Sequence, residues 1–586
     1  MKTSKNRASP RKKAVPPEPA AQPPIVTAPV METPVTETAI VASLSPQPEQ
    51  KTTLRQDLTL KQPLRLLIVV LLLGWIFDFL FWDQKVGVNF AILLTTCLSV
   101  GIYLLFAEGY KPALKSLWLL LPFLFFSVIT FVRRESLTIF LAYTFALFSI
   151  GLLATSYQGG RWYLYHLSDY IYKFTLLVGN VVVRPFRFFR QWSRSTPRSE
   201  ETGRQLLIPG LMRGLAIAVP IVLCFGSLLA SGDVVFNQKL DDFFDSEKIL
   251  ENIQRLFLIL LFAYAMTGVF LHSAFQSMDE RVTQEKKSFL KPFLGFTESA
   301  VVLGSVMSLF LLFVIVQFRY FFGGETNIGV EGYSYSQYAR RGFNELVSVA
   351  FFSLVMLIVL STVTRRGNEA QRRGYSALSV AVVLLVLVIL VSAFQRISLA
   401  IGWHGYSRLR LYPRIFLVWL GLLLIAVVML EILQRERYFM ISTVLSAIGF
   451  AASLTLFNVD AAIVKLNVYR SWHGRNLNVP HLASLSTDAV PALAKDFLSP
   501  ALPTSTHEGV GAILACYKYT EDTPHVSEDD WRSFNLSSWQ AHQALQKVRS
   551  RLAGYTILYK KYPVRIRTPH GILYPCTAYD AANDRE

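Results

Sequence analysis

Stretches of about twenty consecutive apolar residues recur along most of this chain, and nothing else in it limits the possible folds so strongly. A run of that length matches a helix crossing a ~30 Å hydrocarbon layer, where every backbone polar group must be bonded within its own segment. The composition agrees: 52% of the 586 residues are hydrophobic, 17% are charged, and the mean hydropathy is +0.37. A soluble protein carries about 25% charged residues. The fold class is therefore an all-α polytopic membrane protein.

About eleven spans are expected, at 64–82, 88–106, 114–132, 136–155, 206–230, 252–272, 296–316, 343–364, 376–395, 413–432 and 438–457. Residues 1–60 are read as a disordered, Pro-rich cytoplasmic tail, because ten prolines in the first fifty positions leave little apolar surface to offset ordering entropy. Residues 61–457 form the helical bundle, and 458–586 a small, mostly helical extracytoplasmic soluble domain. Connectors assigned to the cytoplasmic side carry twenty Lys and Arg against twelve on the outer side, which orients the chain with its N-terminus inside. The membrane expected is a bacterial inner membrane. The net charge of +18 lies beside apolar runs, so it points to anionic headgroups and away from nucleic acid.

Charges at membrane depth are costly and mark candidate sites. Asp78 sits deep in the first run, where a structural ion pair and a functional site are both open. The segment from Gln317 through Gly324 to Glu345 places aromatic clusters, a Gly pair and two adjacent arginines between long apolar runs. Asp78, Asp233, Glu298, Gln317, Arg340, Arg341 and Glu345 are thus expected to line the polar part of the bundle, with the arginines holding an anion. Arg396, Arg408 and Arg410 fall in an expected outer connector. They read either as interfacial snorkelling beside Trp403, Tyr406 and Tyr412 or as an outer anion-binding rim. Residues 161–194 interleave arginine with aromatics, which suits an amphipathic segment on anionic headgroups or a helix docked on the bundle.

No phosphate-binding loop, nucleophile elbow or metal-binding helix occurs, so no catalytic residue, metal ligand or cofactor is expected. A multi-span glycosyltransferase would have a long first outer loop, whereas here that loop is 83–87. Cys516 and Cys576 could form a disulfide closing a ~60-residue loop, worth roughly 3–4 kcal/mol, or remain two buried thiols.

Gly74-Trp-Ile-Phe-Asp78, Leu229 to Phe236, Leu294-Gly-Phe-Thr-Glu298, Gln317 to Glu345, Asn458-Val-Asp460, Asn467-Val-Tyr-Arg470, Leu485 to Pro491 and Trp531 to Asn535 follow one another in an order that resembles a bacterial multi-pass family of uncharacterised activity, the domain of unknown function 4173 type. The likeness covers about 64–540. It departs at Ser231-Gly232-Asp233, where such proteins read Ser-Ala-Asp. The resemblance implies the fold and assigns no activity. Three readings follow, in this order: a binding or transport bundle without chemistry of its own, an envelope sensor or scaffold whose outer domain and inner tail bind proteins, and, a distant third, a membrane-embedded transferase.

Overall fold

The computed structural model describes residues 60–195, 247–278, 293–322, 343–365, 367–522, 530–558 and 564–576, with isolated positions between 196 and 246. Among the described residues ten helical segments are long and apolar enough to cross a membrane. They are α1 (Pro63–Phe81), α2 (Val88–Ala107), α3 and α4 in tandem (Leu114–Leu117 and Leu120–Val132), α5 (Ser136–Ser156), α7 (Glu247–Gln276), α8 (Phe296–Phe322), α9 (Phe343–Val363), α10 (Glu369–His404), α11 (Arg408–Ile432) and α12 (Phe439–Phe457). Between α5 and α7 runs α6 (Leu167–Ser195). The expected span at 206–230 lies outside the described residues.

Local chemistry sets the helix ends. Pro63 occupies the first turn of α1, where its missing N–H costs nothing, and Glu108 from the end of α2 accepts from the Lys61 and Gln62 N–H groups. Glu135 caps α5 by accepting from Leu137 and Thr138. Asn458 adopts a left-handed conformation that ends α12, and its side chain accepts from Ala461 to start the next helix.

The helices form two packed groups. In the first, α7 lies against α1 and α6, with glycines at both crossings: a Cβ at Gly74 would stand 2.5 Å from the Ile259 carbonyl, and one at Gly268 equally close to Val181 backbone. Small residues permit such approaches, which drive helix association where lipid removes the hydrophobic force. In the second, α10 packs against α8, α9 and α11 around Val382, Val386, Ile389 and Ala393. α12 joins the groups, touching α11 on one side and α5 on the other.

One expected boundary is corrected. α10 continues nine residues past the expected end at 395, so the connector expected at 396–412 reduces to Gly405, Tyr406 and Ser407. A single arginine interrupts an apolar run, but it does not interrupt backbone hydrogen bonding, and Ile397, Ala400 and Ile401 keep their buried face.

Residues 458–576 form α13 (Val459–Trp472), α14 (Val479–Ala483), α15 (Val490–Phe497), α16 (Thr504–Asp522) and α17 (Leu536–Val548), followed by an antiparallel sheet of β1 (Thr556–Leu558), β2 (Arg565–Arg567) and β3 (Leu573–Pro575) in that order. β2 pairs with both neighbours, with Ile566 opposite Ile557 of β1 and Tyr574 of β3. Ile463, Leu493, Val510 and Leu514 share one core with Leu454 of α12, so this core continues into the bundle. A Cys516–Cys576 disulfide, both half-cystines buried, ties α16 to the residue after β3.

Candidate functional site

The densest buried polar cluster among the described residues lies where the C-terminal helices meet the α4–α5 turn and the start of α11. Arg133, Arg134 and Glu135 make that turn with extended backbone, which exposes two N–H groups. Both donate to Asp488, at 2.8 Å from Arg134 and 2.9 Å from Glu135. The Arg133 guanidinium stands 3.9 Å from the same carboxylate and donates through Nε to the Thr455 carbonyl at 3.1 Å. Glu135 also accepts from the Tyr412 hydroxyl of α11 in a short hydrogen bond.

Beside this lies Asp460, 0% exposed, in the first turn of α13. Arg408 donates to both of its oxygens, through Nε at 2.8 Å and through Nη2. Asp460 further accepts from the Ser486 N–H at 2.8 Å and hydroxyl at 2.6 Å, and that hydroxyl lies 3.2 Å from Asp488. Asn467 completes the seam by exchanging two hydrogen bonds with the Tyr406 backbone. Three buried carboxylates thus share two arginines, a tyrosine, a serine and backbone donors. Such groups tolerate desolvation only when their oxygens are partnered, and one partner lost leaves a charge stranded. Burial raises the Asp488 pKa, opposed by the donors from the α4–α5 turn. Burial lowers that of nearby His481, helped by Arg408 and Arg410.

The bonds link residues 486–488 and α13 to the ends of α4, α5, α11 and α12.

The expected bundle residues are dispersed. Asp78 is buried and accepts from Arg255 of α7, at 2.7 Å to Nη2 and 3.1 Å to Nε. Arg255 lies over the Trp82 ring, whose Nε1 donates to Glu251. Gln317 accepts from Ser392 at 2.9 Å, while Glu298 folds back to the Gly295 N–H at the start of the same helix. Nineteen residues separate them, about 28 Å at 1.5 Å per residue, so the two stand at opposite ends of α8. Glu345, in the first turn of α9, and Asp233 are exposed. Arg340 and Arg341 lie outside the described residues.

Of the three arginines expected in an outer connector, Arg396 is buried within α10, Arg408 is matched by Asp460, and Arg410 donates to the Gly405 carbonyl at 3.0 Å. In 161–194, Arg184 turns inward to the Leu271 carbonyl and Asn180 bonds Gln276, so α6 docks on α7. Arg187 and Arg190 stay exposed beside Phe186.

Sequence reasoning overlooked Glu135, Asp460, Asp488 and Arg133 as a site because each falls in a short connector or first turn. The available signal was that Asp460 and Asp488 both lie in pieces that carry the family resemblance.

A family model described as a domain of unknown function, DUF4153, matches residues 120–495, an interval that contains Arg133, Glu135, Arg408, Asp460 and Asp488. The resemblance drawn from sequence named the 4173 type, whereas the family found is 4153; both are uncharacterised. No curated protein and no solved structure matches the chain.

Proposed function

This chain belongs to the DUF4153 family, a domain of unknown function, and we propose that it couples an outer C-terminal module to its membrane spans as an envelope sensor or scaffold. One observation carries the reading: among the described residues, a dense cluster of buried charges joins the C-terminal helices to the ends of four spans. A bundle that merely bore a tethered domain would have no use for a desolvated joint there.

We place the protein in a bacterial inner membrane, N-terminus inside and residues 458–586 outside. The charge bias of the connectors supports this, and so does the Cys516–Cys576 disulfide, since disulfides persist in oxidising compartments. The inner Pro-rich tail and the outer module are the surfaces for protein partners, and exposed Arg187 and Arg190 on α6 suit anionic headgroups.

The test is complementation of a deletion strain. Asp488→Asn and Arg133→Met, at normal protein levels, should fail to restore whatever phenotype the deletion causes, while Asp78→Asn should restore it. The reverse pattern would sink the coupling reading. It would favour a transport bundle, for which the Asp78–Arg255 pair inside the first helix group is the specific support.

A further inference from the structure

We propose that the segment around Trp531 anchors the C-terminal region in the headgroup layer of the lipid leaflet that borders it. The argument starts on α1. Trp75 and Phe79 are 57% and 44% exposed on a membrane-spanning helix, so their open faces meet lipid. Four residues apart, they stack with ring centroids separated by 6.0 Å.

Trp531 extends this ladder beyond the span. Its ring centroid lies 6.5 Å from that of Phe79, and it is itself 57% exposed. It therefore continues a lipid-facing stripe from the bundle onto a residue 452 positions after Phe79 in the chain. Its backbone is held there by specific bonds. Arg532 donates to the Phe79 carbonyl at 2.6 Å and places its guanidinium 5.3 Å over the Phe79 ring. Ser533 donates to Gln84 at 3.0 Å, and the Phe534 carbonyl accepts from the Val88 N–H at 2.9 Å. A Cβ at Gly87 would stand 2.5 Å from the Ser533 carbonyl, so the approach needs glycine.

Indole rings favour the membrane–water boundary because the ring is apolar and its N–H seeks water or headgroup oxygens. A large exposed indole at the outer end of a lipid-facing ladder, beside an arginine, has that environment on its open side. The occupant is lipid, because the stripe it prolongs is already the bundle's lipid surface. A protein partner here would have to cover Trp75 and Phe79 at membrane depth as well.

The experiment uses the full-length protein in phosphatidylglycerol-containing nanodiscs, with Cys97→Ser and Cys224→Ser as background and Trp531→Cys carrying an environment-sensitive nitrobenzoxadiazole dye. Trp75→Cys serves as the lipid reference and Arg567→Cys, on the exposed face of β2, as the aqueous one. At 531 the emission should shift to the blue of the 567 label. It should be quenched by lipids spin-labelled near the glycerol and little by aqueous iodide. Emission and iodide quenching equal to those at 567 would overturn the proposal. So would protection from both quenchers in native membranes, which would mean a protein covers the site. A second measurement leaves the ring chemistry nearly intact: Trp531→Phe should lose part of the tryptophan quenching by brominated lipids. An unchanged quenching curve would count against the anchor.

Discussion

Removal of the Asp460 carboxylate tests the joint most directly. In Asp460→Ala, Arg408 loses both of its hydrogen bonds to that carboxylate and keeps its charge, while the Ser486 N–H loses its acceptor. Breaking a buried ion pair from one side costs about 3–5 kcal/mol. The lower end applies because a quarter of the Arg408 side chain reaches the surface. An orphaned buried N–H adds about 1 kcal/mol, for a total of ~4 kcal/mol. If the C-terminal helices open as a unit, their open population rises about a thousandfold. The assay is native-state proteolysis of the full-length protein in detergent, read at the buried Val510–Leu514 stretch of α16 under conditions where closing outpaces cleavage. A rise of less than about tenfold would refute the assignment of Asp460 as the central counter-charge. The double variant Asp460→Leu with Arg408→Met removes both charges at similar volume and should recover most of the loss. If it cleaves as fast as the single variant, the stranded arginine is not the cause.

Three further outcomes are expected. Cys516→Ser should lower the thermal midpoint under oxidising conditions, because opening a loop of sequence separation 60 costs about 4 kcal/mol of chain entropy. Gly449→Ala should destabilise the α11–α12 contact by about 1–3 kcal/mol in thermal unfolding, since its Cβ would stand 2.2 Å from the Trp419 ring. His481 titrates below its ordinary 6.5 through burial and the neighbouring Arg408 and Arg410, so above pH 6.5 neither the folded nor the unfolded state carries its proton. As pH falls through 6.5 the unfolded chain takes up the proton first and stability is lost; the raised pKa of Asp488 acts oppositely at lower pH. His481→Gln should therefore flatten the fall in thermal midpoint between pH 7 and pH 5.

The sequence by itself determined the membrane class and the positions of the described spans. Both follow from a local quantity, the length of an apolar run measured against the thickness of a bilayer. The same locality explains where that reading stopped short. At Arg396 one charge broke the apolar window while the helix of Glu369–His404 ran on, because backbone bonding does not depend on side-chain polarity. It also recognised Asp78 as a charge at membrane depth, but not that Arg255, on a helix 177 residues away, would answer it. Which charges meet was decided only by tertiary structure. Asp488 reaches Glu135 across 353 positions and Arg408 reaches Asp460 across 52. Neither separation corresponds to any helical or strand period. Pairing of this kind depends on which helix ends come to lie together, and burial then makes each partner indispensable to the other.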